Sequence, residues 1–394
     1  MIAVSNKIQN FMEQGSWIRK MFEEGISLKQ QYGEDNVFDL SLGNPVVSPP
    51  EEFFRELKRI ADEPIKGLHR YMPNAGLPAA RAAVADQLSV ETGLDFKPSE
   101  IVMACGAGGA LNVIMKALLD PGDDIVIFAP YFVEYKFYAD NHGGSCKVVP
   151  PDDDFLPSTQ DFRDAITEKT RGVLINSPNN PTGVLYSFEI LAELANIIKE
   201  KEREFGTEIY LVSDEPYRRI IFDGIEYPHI FRHHERSIVA TSHSKDLALP
   251  GERIGYIAVH PGYEDREELV DALVFCNRTL GFVNAPALIQ HIVTSLQSVT
   301  VDVGIYQRKR DFLHNALVEM GYQVVKPQGA FYMFPKSPIE NDVQFVDELK
   351  EQKVLAVPGS GFGLPGYFRL SYCLEDRTIE GALTGLQHAL SKYL

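Results

Sequence analysis

Apolar residues fall along this chain in short blocks, and the spacing of the blocks changes along its length. Between residues 50 and 290, compact runs rich in Val, Ile and Ala recur at 101–104, 125–129, 146–149, 172–176, 209–213, 237–241 and 254–259. Each is strand-sized, and most are apolar throughout, as strands buried on both faces must be. Helical periodicity fills most of the gaps, at 108–119, 131–141, 158–168 and 187–204. Strand and helix alternating in this way predict a mostly parallel sheet with helices on both faces. The last two runs are too closely joined for a helical crossover, so one strand should run antiparallel.

Beyond residue 300 the pattern predicts a long helix (302–320), strands at 322–326 and 330–334, a helix (342–352), strands at 354–357 and 367–371, and a final helix (376–392). Residues 1–33 place apolar side chains at roughly helical spacing and predict short amphipathic helices broken near Gly15 and Gly25, before a short strand at 37–42. The expected fold is therefore α/β. A large domain at 45–300 holds a mixed, mostly parallel seven-stranded sheet between helices. A smaller α+β domain is built from 1–44 and 301–394.

Composition narrows the function classes. The chain has 394 residues and a formal net charge of −17, which argues against binding nucleic-acid backbones or anionic membrane surfaces. Four cysteines lie far apart, fitting neither a disulfide framework nor a zinc site. There is no signal-like N-terminus and no apolar run of about 18 residues, so a soluble cytoplasmic protein is expected. Asp152, Asp153 and Asp154 lack calcium-loop spacing, and His229, His233 and His234 suit no familiar metal site. All six are read as surface residues, and no metal is expected.

Ligands of such sheets sit at the carboxyl ends of the strands, where this chain carries 106–109, 130–132, 176–180, 214–217 and 242–245. Lys245 follows Ser242 and Ser244 and precedes Pro250, Gly251 and Arg253. A lysine at the end of a buried strand is costly unless paired or uncharged. The hydroxyls and guanidinium around it suit a phosphate beside an amine able to form a Schiff base. A solvated hairpin lysine is the plainer alternative. The glycines at 106, 108 and 109 open a helix and could let amides approach a phosphate, although Leu111 occupies the position where a dinucleotide fingerprint needs glycine. Phe132 or its neighbour Tyr131 could stack on a flat ligand or simply fill the core. Asp214 at a strand end wants a cation, or else caps a helix. Arg369 in an apolar strand wants a bidentate carboxylate or an internal ion pair.

Taken together, Ser-x-Ser-Lys-x-x-x-x-Pro-Gly-x-Arg-x-Gly-Tyr at 242–256, Asn-Asn-Pro-Thr-Gly at 179–183 and the Pro-Gly-Ser-Gly segment followed by Arg369-Leu370-Ser371 resemble the class I/II aminotransferases. These are fold-type-I pyridoxal phosphate enzymes related to aspartate aminotransferase. The resemblance implies pyridoxal 5′-phosphate on Lys245, with its phosphate held by Ser242, Arg253, Ala107, Gly108 and Gly109. Phe132 would stack on the ring, and Asp214 would pair with the pyridine nitrogen. Asn180 and Tyr217 would bond the phenolic oxygen, while Arg369, Gly43 and Asn180 meet the substrate carboxylate. Tyr71 would reach the phosphate of a neighbouring subunit, which implies a homodimer.

The implied reaction is transamination by a ping-pong mechanism from an L-amino acid, aspartate or similar, to a 2-oxo acid such as 2-oxoglutarate. Lys245 serves as general base and acid, with Asp214 and Tyr217 beside it in the catalytic set. A β-lyase shares Lys245, Asp214 and Arg369, and aromatic or alanine-type substrates fit the same framework. A transcription regulator with this fold would need a DNA-binding domain, for which the residues before the first strand are too few. Side-chain specificity would fall to Arg278, Trp17, Ile18, Tyr135 or Asn284.

Overall fold

The computed structural model describes residues 4–13 and 17–393. Its centre is a seven-stranded sheet in the order Ile101–Ala104, Gly255–Val259, Ser237–Ser242, Tyr210–Asp214, Thr170–Asn176, Asp124–Phe128, Ser145–Val149. Every pairing is parallel except those of Gly255–Val259, which runs antiparallel to both neighbours. This is the α/β fold expected from the apolar runs.

Alternation along each strand divides the sheet's side chains between two cores. Ile101, Met103, Val126, Phe128, Val173, Ile175 and Leu211 enter one. Val102, Ala104, Ile125, Ile127, Leu174 and Val212 enter the other. The helices Pro78–Thr92 and Phe188–Phe205 cover the first face, and Gly106–Leu118 and Arg266–Thr279 cover the second. A third core joins Met21 and Leu40 to the helices Val303–Met320, Asp342–Glu351 and Asp376–Ser391. It also takes Tyr217, Ile220 and Phe222 from beyond the end of a central strand. No helix among the described residues is long and apolar enough to cross a membrane.

Several local expectations are corrected. The helix Trp17–Tyr32 passes through Gly25 without breaking. A Cβ there would lie 2.9 Å from Leu355, so the glycine lets the helix approach the strands below. Its propensity cost of about 1 kcal/mol is offset by that packing. Gly15 lies outside the described residues. No strand forms at 322–326; Tyr322 instead enters the third core and its hydroxyl donates to the Leu386 carbonyl. The run at 354–357 divides, Val354–Leu355 pairing with Phe38–Asp39 and Val357–Pro358 with Phe368–Ser371. His229 and His234 are buried rather than at the surface. The intervening Ile230 and Phe231 carry them into the first core, where burial lowers His229 to about 3 and His234 to about 4.

Phe345 is fully buried, its ring 5.2 Å from that of Phe368. Phe345→Ala should cost about 3–5 kcal/mol, read as a fall in the urea midpoint. Phe312 is 45% exposed, and Phe312→Ala should change stability by about 0.5 kcal/mol or less.

Candidate active site

Sheet register puts the chemistry at one edge. Asn176 and Asp214 are direct partners at the ends of adjacent parallel strands, and Ser242 ends the next strand. Above these ends lies a cavity of about 290 Å³. Its wall includes Gly43, Ala107, Gly108, Phe132, Asn180, Asp214, Tyr217, Ser242, Lys245, Arg253 and Arg369. Eleven of the thirteen residues singled out in the sequence are thus brought together. Gly109 lies a step further into its helix, against Cys105 and Phe282. Tyr71 is 96% exposed and lines a separate depression with His69, Arg70 and Met72.

Lys245 Nζ donates to the Gly43 carbonyl at 2.8 Å. Burial lowers its amine to about 8, helped by the guanidinium groups of Arg369 and Arg253. The Asp214 carboxylate accepts from the Tyr135 hydroxyl at 2.6 Å through Oδ2. Its Oδ1 is buried without a hydrogen-bond partner among the described residues. Burial pushes Asp214 up to about 7, and the Tyr135 bond only partly opposes this. Glu215, the neighbouring carboxylate, is absent from the cavity wall and is buried beside Arg218.

Arg369 Nη1 donates to Asn180 Oδ1 at 2.9 Å and Nη2 to the Ser41 carbonyl. Its Nε is buried and unpartnered among the described residues. Burial lowers its pKa, the signature of a cation held without a full counter-charge. The backbone of Asn180 is itself fixed, its main-chain N–H donating to Asn176 Oδ1 at 2.7 Å.

Another part of the cavity wall has the chemistry to hold an anion. The helix Gly106–Leu118 begins there, so its first amides and its dipole favour negative charge. Gly106 has φ +70°, and a Cβ on it would lie 2.6 Å from Arg253 Nη2; glycine is what allows the guanidinium so close. Ser242 and Ser244 complete this part of the wall. An anion cradle, an orphaned carboxylate oxygen and an amine of lowered pKa match, in turn, the phosphate, the pyridine nitrogen and the aldehyde of pyridoxal phosphate. The residues present therefore fit that group.

Phe132, rather than Tyr131, lines the cavity; Tyr131 packs against Gly363. Of the specificity candidates only Tyr135 is on the wall. Trp17 lines a neighbouring cavity, and Asn284 donates to the Pro73 carbonyl beside Tyr71. Arg278 is exposed near the Phe275 ring. The Ile18 side chain lies outside the described residues. Sequence reasoning gave no role to Asn176, Leu111 or Tyr332, all on the wall, while Ser244, read as a phosphate-side hydroxyl, is there too. For Tyr332 the signal lay in strand register: it pairs with Ser371, two residues from Arg369 on the same strand face.

Comparison with known proteins places this geometry. The sequence profile described as aminotransferase class I and II matches residues 35–386. A probable aspartate aminotransferase of Methanocaldococcus jannaschii is 32% identical, over 96% of this chain and 98% of that protein. The crystal structure of an aminotransferase from Eubacterium rectale has a TM-score of 0.96 at 36% identity and full coverage of both chains. Aspartate aminotransferase from Thermus thermophilus with maleate has a TM-score of 0.87 at 28% identity, covering 99% of this chain and 100% of that one.

The raised Asp214 carboxyl has a measurable consequence in cofactor-free protein. Between the ordinary 3.8 and about 7, the folded state holds a proton that the unfolded state has released, so stability falls as pH rises through this window. Asp214→Asn removes that loss. Its stability relative to wild type should grow from pH 4 to pH 7 by up to about 4 kcal/mol. Denaturant titrations of both apoproteins across this range check it, and a constant difference would contradict the raised value.

Proposed function

The chain belongs to the class I and II aminotransferase family and is a pyridoxal phosphate-dependent aminotransferase, and from that premise we propose that the cavity beneath Gly43 takes the cofactor on Lys245. The observation that carries this reading is the buried, unpartnered Asp214 Oδ1 in the same cavity as a lysine lowered to about 8. When bound, pyridoxal phosphate supplies an electron-withdrawing ring that acidifies the substrate's Cα proton.

Arg253, Ser242 and the amides of Ala107 and Gly108 hold the phosphate, with Gly109 one step behind them in the helix. Phe132 packs against the ring face. Asp214 accepts the pyridinium N–H, and the new positive charge keeps its carboxylate ionised. Tyr217 and Asn180 donate to the phenolic oxygen. Arg369, with Asn180 and the backbone at Gly43, grips the α-carboxylate of the amino acid and so aims its Cα proton. Lys245 Nζ takes that proton as general base and returns it as general acid. Its lowered pKa leaves a useful neutral fraction near pH 8.

The donor is aspartate or a similar L-amino acid and the acceptor a 2-oxo acid such as 2-oxoglutarate, reacting in alternating half-reactions. The relatives named as aspartate aminotransferases support this choice, as does the maleate, a dicarboxylate, held by the Thermus thermophilus enzyme. The working unit is a homodimer in which Tyr71 reaches the partner's phosphate site. Its side chain is 96% exposed on one chain and so is free to reach a partner. Four free thiols suit a reducing cytoplasm.

The decisive experiment adds single amino acids to purified holoenzyme and follows the visible absorption of the bound cofactor. Bleaching without ammonia release, reversed by a 2-oxo acid, is the expected outcome, and the most effective amino acid names the donor. Persistent absorption with accumulating pyruvate and ammonia would replace this reading with a β-lyase. Lys245→Ala should lose the covalent cofactor signal and transamination together. Arg278 is off this chain's own cavity wall, so in a specificity role it would act from the partner subunit; there Arg278→Ala should reduce aspartate turnover far more than alanine turnover, and equal losses would remove Arg278 from that role.

A further inference from the structure

Tyr332 touches more of the candidate site than any sequence motif implied. It is buried on the short strand Tyr332–Met333, and it lines the cavity. Its hydroxyl lies 3.2 Å from that of Tyr217, with the two rings edge to face at 5.8 Å. Its ring centroid is 4.4 Å from Arg369 Cζ, and the ring of Phe362 lies 4.9 Å from the same atom. The hydroxyl also occupies the space that a side chain at residue 43 would need: a Cβ there would fall 1.7 Å from it. Gly43 is thus glycine because Tyr332 lies against it, and its carbonyl is the acceptor for Lys245.

Either hydroxyl of the tyrosine pair can donate to the other, so the ligand decides the direction. Two hydroxyls 3.2 Å apart share one hydrogen, so one must donate and the other accept. If Tyr217 spends its hydrogen on Tyr332, it has none for a ligand in the cavity. If Tyr332 donates, the Tyr217 hydrogen is free, and accepting a bond makes Tyr217 a stronger donor in turn. The ring has a separate job. A guanidinium between two aromatic faces keeps its orientation and loses little charge density to solvent, which suits a group whose Nε awaits an acceptor.

We propose that Tyr332 is a positioning residue of the active site: its hydroxyl donates to the Tyr217 oxygen and frees Tyr217 to donate to the bound ligand, while its ring, with Phe362, holds Arg369 for the incoming carboxylate. This rests on the reading of the cavity as a pyridoxal phosphate site. The two halves of the proposal separate by substitution, because Tyr332→Phe removes only the hydroxyl and Tyr332→Leu removes the ring as well.

The test is a double-mutant cycle with two readouts. In apoprotein, Tyr217→Phe and Tyr332→Phe should lower the unfolding midpoint by amounts that do not add, since they break one shared bond. In holoenzyme, Tyr332→Phe should raise the pH midpoint of the cofactor's visible absorption by about half a unit to one unit. A weaker Tyr217 donor leaves the phenolic oxygen more basic, so the proton at the Lys245 linkage is held more tightly. In the Tyr217→Phe background the same substitution should do nothing to the midpoint. Tyr332→Leu should further raise KM for the amino acid by about 3- to 30-fold, where Tyr332→Phe leaves it within about threefold.

Strict additivity in the apoprotein, or an unchanged midpoint in Tyr332→Phe, overturns the hydroxyl role. An equal KM in the two variants overturns the ring role. Wild-type protein that took up no pyridoxal phosphate would instead sink the reading of the cavity, and the apoprotein cycle would still decide the tyrosine pair.

Discussion

A single carboxylate, Glu91, holds both arginines that follow Tyr217. Its Oε2 meets Arg218 Nη1 at 2.6 Å and its Oε1 meets Arg219 Nη2 at 2.7 Å. Burial works against the charged form, but the two guanidinium groups hold Glu91 down to about 2. Arg218 continues to the Tyr256 hydroxyl at 2.8 Å. Arg219 approaches Asp246, the residue after Lys245, and His243 bonds the same carboxylate at 3.1 Å. The loop bearing Tyr217 and the loop bearing Lys245 are therefore tied together by one chain of paired charges. Removing one partner of such a buried network costs about 3–5 kcal/mol, because the other charge is left alone.

The contrast with the cavity is the main physical clue to function. Residue types that are fully paired in the network are only partly paired on the cavity wall: Asp214 keeps a free Oδ1, and Arg369 a free Nε, among the described residues. A protein that satisfies Glu91 this completely has the means to satisfy Asp214. Leaving Asp214 raised to about 7 and Lys245 lowered to about 8 is a standing cost that a ligand with matching charges would relieve. Chemistry and binding are thus drawn from the same deficit.

How much of this was legible in the sequence depends on what each signal measures. Most of the seven strands were plain because a strand buried on both faces reads as an apolar run, as residues 173–175 and Gly255–Val259 do. The short strands of the third core were not, since Tyr332–Met333 and Val354–Leu355 are two residues each and defined by their partners. Gly25 was misread because propensity describes an isolated helix, whereas here the neighbour Leu355 needs the missing side chain. Most candidate site residues were legible because glycine, asparagine, lysine and arginine are conspicuous in apolar strand ends. Tyr332 was not: an aromatic beside Phe331 reads as core, and its hydroxyl gains meaning only when folding sets it against Tyr217. His229 and His234 failed for the opposite reason, as polar residues drawn inside by apolar neighbours.

The charge of the whole chain and the charge of the cavity point in opposite directions. The protein carries a formal −17, yet the charged side chains on the cavity wall are Lys245, Arg253 and Arg369 against Asp214 alone. Surface charges act through water whose screening length is about 8 Å at physiological ionic strength, so their repulsion of an anion fades over the approach. The cationic groups on the wall act at contact, through a partly desolvated space where each charge counts for more. An anion that reaches the cavity therefore meets a local field the surface cannot cancel. Net acidity opposes long anionic polymers, whose many charges must lie along the surface, far more than it opposes small phosphates and carboxylates. The same sequence can be strongly acidic and still gather Lys245, Arg253 and Arg369 on one cavity wall.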